Sequence, residues 1–401
     1  MKNIKDRFPI FKSHPDLIYL DNAATTQRVD KVDDLLDEFN RKDNATIHRG
    51  VYELSAKATA RYEQVRSKVA GFLGSDNPNT IAFTKGTTES INVVAHSFIK
   101  KRLRAGDNIV VTVMEHHANF VPWQALCKEM GCELRVASLT PEGSIDTLAF
   151  ERLVDKKTKM VAITHLSNVL GTINPIEQLI ETAHAQGAPV LVDAAQGAAL
   201  YDLDVTKLNY DFLAFSAHKL FGPFGVGILY VNPEYMGDMQ PYTLGGGIIQ
   251  SVSADEVTFQ SYPFNLDAGT PNVSGVLGLG AAIDFLNELN RAECISHTHE
   301  LANRCVVELA RVKGIRILGG TQMQRSGIVS FALENIHPHD VSSYLNGDGI
   351  AVRAGLHCAQ PLHYFMKEPS TIRISFSIYN ADNEIDILID SIKSLKKFWE
   401  Q

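Results

Sequence analysis

The chain has 401 residues, 45% hydrophobic and 21% charged, with a formal net charge of −8. That is enough for a large buried core and two domains, and no lysine- or arginine-rich block suggests nucleic acid as a partner. No apolar run is long enough for a membrane span, and the five cysteines (Cys127, Cys132, Cys294, Cys305 and Cys358) form no Cys-x-x-Cys pair, which points to a reduced, cytoplasmic protein.

The opening stretch MKNIKDRFPIFKSHPDLIYL lacks an apolar core followed by a small-residue cleavage site, so no secretory signal is expected. Short apolar runs then alternate with amphipathic segments. Strands are predicted at 80–84, 108–113, 134–137, 160–165, 190–193, 212–216 and 227–231, with helices at 88–101, 121–130 and 176–186 among them. Such alternation, with near-continuous apolar strands, predicts an α/β fold with a mostly parallel seven-stranded sheet between helices. After about residue 285 the texture changes. A long helical stretch over 279–312 is followed by short strands at 315–318, 327–333, 351–353 and 372–375 and a last helix from about 383. The expected organisation is an N-terminal segment (1–20) packing with the small domain, a large domain (21–285) and a smaller α+β domain (286–401).

Ligands of parallel α/β sheets gather beyond the carboxyl ends of the strands, so each strand end carries information. The first predicted strand runs into Lys85, Gly86, Thr87 and Thr88, where a helix starts. A glycine, two hydroxyls and helix-start amides suit a phosphate, although an ordinary threonine cap reads the same way. The next ends in Glu115, His116, His117, Ala118 and Asn119. Another ends in His165, Leu166, Ser167 and Asn168, and the strand at 190–193 closes on Asp193 with Gln196 beyond it. The run DFLAFSAHKLFGPFGVGILY ends its first strand in Ser216, His218 and Lys219. A lysine in low-dielectric surroundings loses pKa and becomes a usable amine nucleophile. One sheet edge thus offers an amine, an acid, a phosphate cradle and a flat imidazole, which together suit pyridoxal phosphate.

The stretches IHRGVYELSA, FTKGTTESIN, MEHHANFVPWQ, ITHLSNVLGTINP, VLVDAAQ, FSAHKLFGPFGVGILY, FNLDAGTPN and VRAGLHCAQPL occur in this order, between YLDNAAT near the start and RAGLHCA near the end. In this the chain resembles the class V aminotransferase family of fold-type I pyridoxal phosphate enzymes, and within it the SufS/CsdA-type cysteine desulfurases. The resemblance covers almost the whole chain and implies residue roles. Lys219 would carry pyridoxal phosphate as a Schiff base, with Asp193 on the pyridinium nitrogen, Gln196 on the phenolic oxygen and His116 stacked on the ring. Thr88, Ser216 and His218 would bind the phosphate, Thr87 would add an amide, and Thr270 would reach the phosphate of a neighbouring subunit in a homodimer. Asn168 and Arg373 would hold the carboxylate of L-cysteine. Cys358 would accept the sulfur, with Arg353 and His357 flanking it and Arg49 close by. No metal site is expected in the chain.

The implied reaction turns L-cysteine into L-alanine, with Lys219 as general base, His116 as a proton shuttle and a persulfide on Cys358, for use in iron–sulfur cluster assembly. Selenocysteine lyase activity, or a non-catalytic assembly scaffold, are the alternatives. The expected partner is a small sulfur acceptor of the SufE or zinc-bearing SufU type. The pair His337 and His339 in HPHD either meets a partner's metal or caps a helix that Pro338 begins. The loop that usually reads R-x-G-H-H-C in this family has Leu356 at the first histidine position, while His357 still adjoins the thiol. The other four cysteines sit in apolar helical patterns and read as packing.

Overall fold

A computed structural model of the protein describes residues 4–322 and 325–399; residues 1–3, 323–324 and 400–401, which fall within the expected terminal segments and small domain, lie outside the described residues. All seven predicted strands share one sheet, in the order Ile81–Thr84, Gly227–Val231, Phe212–Ser216, Val190–Asp193, Thr158–Thr164, Asn108–Thr112 and Glu133–Ala137. Only Gly227–Val231 runs against its neighbours, so the fold class is the expected one.

The sheet is apolar on both faces because alternate side chains of a strand point opposite ways. Val110, Val161, Ile163, Val192 and Phe215 enter one cluster, with Val65 and Val69 of the helix Glu53–Phe72 and Leu279 and Ile283 of the helix Val273–Asn287. Their sequence neighbours Ile109, Val111, Ala162, Leu191 and Ala214 enter the opposite cluster, with Phe98, Trp123 and Leu126. Gly280 lets two of these helices close on each other, since a Cβ there would lie 2.7 Å from a Val65 methyl.

A second, antiparallel sheet has the order Ile315–Ile317, Ile328–Leu333, Thr371–Ser375, Arg353–Gly355. The helices Arg291–Ala310, Pro338–Gly347 and Asn383–Trp399 surround its apolar cluster. Near the start of the chain, Ile18–Tyr19 pairs in parallel with Ile350–Ala351, and Phe8 packs edge-on against Phe221, Phe285 and Tyr379.

Three expectations need correction. The helical stretch predicted over 279–312 is two helices, because Asn290 accepts a hydrogen bond from the Glu293 amide and caps a new start. The strand predicted at 351–353 is divided, with Ile350–Ala351 and Arg353–Gly355 pairing in different sheets. A hairpin, Ile249–Val252 with Val257–Phe259, was not anticipated. None of its residues is buried, so no continuous apolar run of the kind that marks the covered sheet announces it.

Arg66 is a buried cation at the foot of the large core, 1% exposed. It bonds Glu63 (2.8 Å), Asp267 (3.2 Å) and the Ile81 carbonyl (2.6 Å). Arg66→Ala strands the buried Asp267 carboxylate, so a loss of about 3–5 kcal/mol is expected. Urea unfolding with fluorescence detection measures it, and a midpoint like that of the parent chain would refute this account.

Candidate active site

The carboxyl ends of Ile81–Thr84, Asn108–Thr112, Thr158–Thr164, Val190–Asp193 and Phe212–Ser216 lie along one edge of the large sheet, facing the second sheet. Between them is a cavity of about 200 Å³ lined by Thr87, Thr88, His116, Asn168, Asp193, Gln196, Ser216, His218, Lys219, Arg353, His357, Cys358 and Arg373. Thirteen residues chosen from sequence, spread over 287 positions from Thr87 to Arg373, therefore meet in one place.

At one end the Ser216 hydroxyl oxygen lies 2.8 Å from the Thr87 amide and 2.7 Å from the Thr87 hydroxyl. The turn can close this tightly because position 227 is glycine: a Cβ there would lie 2.5 Å from the Gly86 backbone. His218 stacks on Phe224, and its buried Nδ1 has no partner. Burial lowers the His218 pKa to about 4, helped by Lys219, so the ring is neutral near pH 7.

Asp193 is 4% exposed, and its Oδ1 accepts the Ala195 amide at 2.9 Å, which leaves Oδ2 for another donor. Burial raises this carboxyl, while the Ala195 N–H and Lys219 oppose the rise. Burial also lowers the Lys219 ammonium to about 8, against the pull of Asp193. Gln196 spends one amide hydrogen on the Ala23 carbonyl. His116 accepts the Ala118 amide on Nδ1 at 3.0 Å, so a neutral ring carries its proton on Nε2. Burial and then Lys219 lower the His116 pKa to about 3, which keeps it neutral.

Across the cavity, the cysteine loop leaves Arg353–Gly355 with two successive left-handed residues, His357 (φ 50°) and Cys358 (φ 55°). Non-glycine residues resist this conformation, and three bonds hold it. Asn168 donates to the His357 carbonyl (2.7 Å), the His117 amide to the Cys358 carbonyl (2.6 Å) and the Gln360 amide to His117 Nε2 (3.0 Å). His117 thus orients the cysteine loop. Cys358 is exposed, whereas Cys127, Cys294 and Cys305 are buried and Cys132 is half-buried. Burial pushes the Cys127 and Cys305 thiols up to about 12, as suits packing residues.

Two contributors carry no role in the sequence reading. Asp21 bonds Arg373 (2.9 Å) and Arg353 (3.1 Å), setting the directions of both cations. Its signals are a polar residue just past the apolar run Ile18–Leu20 and its place in the motif YLDNAAT. Glu115, fully buried, accepts from Thr112 Oγ1 (2.6 Å), Asn119 Nδ2 (2.6 Å) and the Thr164 amide (3.0 Å). Burial pushes its carboxyl up to about 8 against those donors. This network anchors the segment that carries His116. Arg49 and Thr270 do not line the cavity; they share a separate hollow of about 440 Å³ with His48, Gln260 and Asp267. Arg49 follows His48, whose backbone amide is tied to Thr59 at the helix Glu53–Phe72, away from the cysteine loop.

The family model described as aminotransferase class-V matches residues 18–388. The chain belongs to the class-V aminotransferase family. Within that family it belongs with the cysteine desulfurases. It is 42% identical over 399 residues to a probable cysteine desulfurase of Halalkalibacterium halodurans, covering 99% of this chain and 98% of the relative. It is 42% identical to a cysteine desulfurase of an Enterobacter species, covering 98% of each. Among solved structures, the apo cysteine desulfurase of Thermococcus onnurineus superposes with a TM-score of 0.94 at 36% identity, over 99% of this chain and 98% of that one. The CsdA cysteine desulfurase of Escherichia coli does so with a TM-score of 0.92 at 36% identity, over 98% of each.

The cofactor of this class-V family, pyridoxal phosphate, fits the cavity on the chemistry of its donors. The unpartnered His218 Nδ1 and the Thr87–Ser216 cradle suit the phosphate. The free Oδ2 of Asp193 suits a protonated ring nitrogen, and the Lys219 amine suits the aldehyde. At the opposite wall, Arg373 has spent two nitrogens on Asp21 and the Asn168 carbonyl, while its buried Nε has no partner. That leaves a donor for an amino-acid carboxylate.

Proposed function

We propose that this class-V family member is a pyridoxal phosphate-dependent cysteine desulfurase that converts L-cysteine to L-alanine and leaves the sulfur on Cys358 as a persulfide, for use in iron–sulfur cluster assembly. The observation that carries the reading is the exposed Cys358 in the same cavity as Lys219, Asp193 and the buried Arg373.

Bound in the cavity, pyridoxal phosphate supplies an electron sink for charge developing at the substrate α-carbon. Lys219, Asp193, Gln196, His116, Thr87, Thr88, Ser216 and His218 would hold it. Arg373 and Asn168 orient the substrate carboxylate, with Arg353 and His357 beside it. Lys219 takes the α-proton, a task its lowered pKa suits because more of the amine is unprotonated near neutral pH. The Cys358 thiolate then attacks the substrate sulfur. An S–S bond forms as the Cβ–S bond breaks, the carbon skeleton keeps the electron pair, and Cβ gains a proton. His116 offers its Nε2–H toward that transfer, because Nδ1 is occupied by Ala118.

Incubation of the holoenzyme with cysteine, followed by mass spectrometry of the Cys358 peptide, tests the reaction. One added sulfur atom on that peptide, together with released alanine, is the expected result. An unmodified peptide alongside alanine formation would refute the persulfide assignment.

The working form in this reading is a cytoplasmic homodimer, with Thr270 and Arg49 serving the neighbouring subunit's site. The segments flanking their hollow expose Val51, Tyr52, Leu244 and Val252, apolar surface suited to a second copy. The sulfur acceptor in this reading is of the SufU or SufE type. A surface hollow beside the cysteine loop is lined by Leu356, Gly355, His337 and His339. Here HPHD does serve as a helix cap: His337 Nδ1 accepts the His339 amide, and Pro338 begins the helix Pro338–Gly347. The His339 ring stacks on that of His337, next to the hollow, where it suits a zinc-bearing acceptor. His339→Ala should lower acceptor-stimulated turnover about tenfold, the scale of losing one metal-site contact, with basal turnover unchanged. Equal stimulation of the variant and the parent chain would exclude this contact.

A further inference from the structure

His357 presents a buried acceptor without a donor. The residue is 6% exposed, and its Nδ1 has no hydrogen-bond partner. On the other side of the ring, His357 Nε2 lies 2.9 Å from the Thr371 hydroxyl, and the same hydroxyl lies 3.2 Å from Nε2 of the fully buried His363. His363 Nδ1 lies 3.1 Å from the Ala359 carbonyl.

Directions along this chain follow from its far end. A carbonyl only accepts, so His363 Nδ1 carries the proton. Burial lowers the His363 pKa, against the Ala359 bond, and the ring is neutral, so its Nε2 is a bare acceptor. Thr371 therefore donates to His363 and accepts from His357, whose proton sits on Nε2. Burial, with Arg373, His363 and Arg353, holds the His357 pKa far below its ordinary range, so Nδ1 is bare as well. Leaving such an acceptor unmet is costly, and the ring lines the cavity beside Cys358 and Arg373.

We infer that Thr371 and His363 are positioning residues that lock His357 in the Nε2-protonated tautomer and reserve its bare Nδ1 for a thiol S–H in the cavity. The donor is the Cys358 thiol or the substrate thiol. The substrate arm rests on the proposed desulfurase reading; the tautomer and the Cys358 arm do not.

The test compares Thr371→Val, which removes the hydroxyl at nearly constant shape, with Thr371→Ser, which keeps it. In holoenzyme labelled with 15N-histidine, with His357→Gln to assign the signal, the parent chain should show His357 protonated on Nε2. Thr371→Val should show a mixture of tautomers, and Thr371→Ser the parent pattern. If the donor is the Cys358 thiol, its iodoacetamide alkylation rate without substrate should change about fivefold in Thr371→Val, the scale of one neutral hydrogen bond. If the donor is the substrate thiol, alkylation should be constant and the KM for cysteine should rise about fivefold. Cofactor absorbance should match the parent chain in both variants, while Thr371→Val alone should melt lower, because it leaves two buried ring nitrogens unmet. A parent His357 protonated on Nδ1, or a Thr371→Val protein unchanged in both alkylation and KM, would overturn the inference. A parent enzyme that releases no alanine from cysteine would count against the desulfurase reading alone, since the NMR and alkylation measurements would still decide the relay.

Discussion

Lys219→Ala should abolish alanine formation, by about 10³-fold or more, because it removes both the covalent anchor and the general base, a group that alone contributes about 10²–10⁴-fold. The purified variant should also lose the yellow absorbance of the parent chain and hold added pyridoxal phosphate only reversibly. The physical reason lies in the placement of the amine. It follows the buried strand Phe212–Ser216, which brings Lys219 into a low-dielectric cavity opposite Asp193. Burial lowers its ammonium to about 8 while Asp193 opposes the shift, so burial prevails. A lowered lysine pKa means that the free amine fills in as pH rises through about 8, well before an exposed lysine would. The rate at which apo protein takes up pyridoxal phosphate should therefore climb with pH and level off above that point, as followed by stopped-flow absorbance. An inflection at the pH of an ordinary lysine would show that the amine is solvated and would undercut its use as a base near neutrality. Alanine formation by Lys219→Ala at more than a tenth of the parent rate would remove Lys219 from the chemistry altogether.

Cys358→Ala should cut cysteine desulfuration by roughly 10³-fold or more, as loss of a nucleophile does. Cofactor absorbance and stability should be unchanged, because the side chain is exposed and contributes no core packing. Selenocysteine is the informative second substrate. A selenol leaves more readily and needs less help from a thiolate, so its turnover should survive in the variant. Side-by-side assays of alanine release from the two amino acids measure this. Retention of both activities would mean that no persulfide forms at Cys358. Loss of both would mean that the cysteine loop supports the fold of the site rather than the sulfur step, and a fallen melting temperature would accompany it. The four remaining cysteines give the contrast: none is exposed, and burial raises the thiol pKa of each.

Legibility in the sequence followed the strength of the local pattern. The strands Asn108–Thr112, Val190–Asp193 and Phe212–Ser216 are continuous apolar runs because both faces of the sheet are covered, and the sequence shows them nearly to the residue. The hairpin Ile249–Val252 with Val257–Phe259 has no such cover, and its strands are too short and too exposed to show a continuous apolar run. The break at Asn290 was hidden because helical periodicity runs on both sides of it and only the cap separates two helices. Among the site residues, Lys219 and Asp193 stood out as polar groups closing apolar strands. Asp21 did not, because the strand before it, Ile18–Tyr19, is only two residues long and its partners, Arg353 and Arg373, lie more than 330 positions away.

By itself the sequence determined the alternation of buried strands and helices, and the kinds of side chain at each strand end. These depend on local apolar period and on ordered motifs, both properties of neighbours along the chain. Only the tertiary structure decided which strand ends meet and that Asp21 aims two arginines. It likewise decided that Arg49 and Thr270 fall in a different hollow from Cys358, and that a threonine between two histidines sets a tautomer. Those are distances and hydrogen-bond directions between residues far apart in the chain, and they exist only once the two sheets have packed against each other.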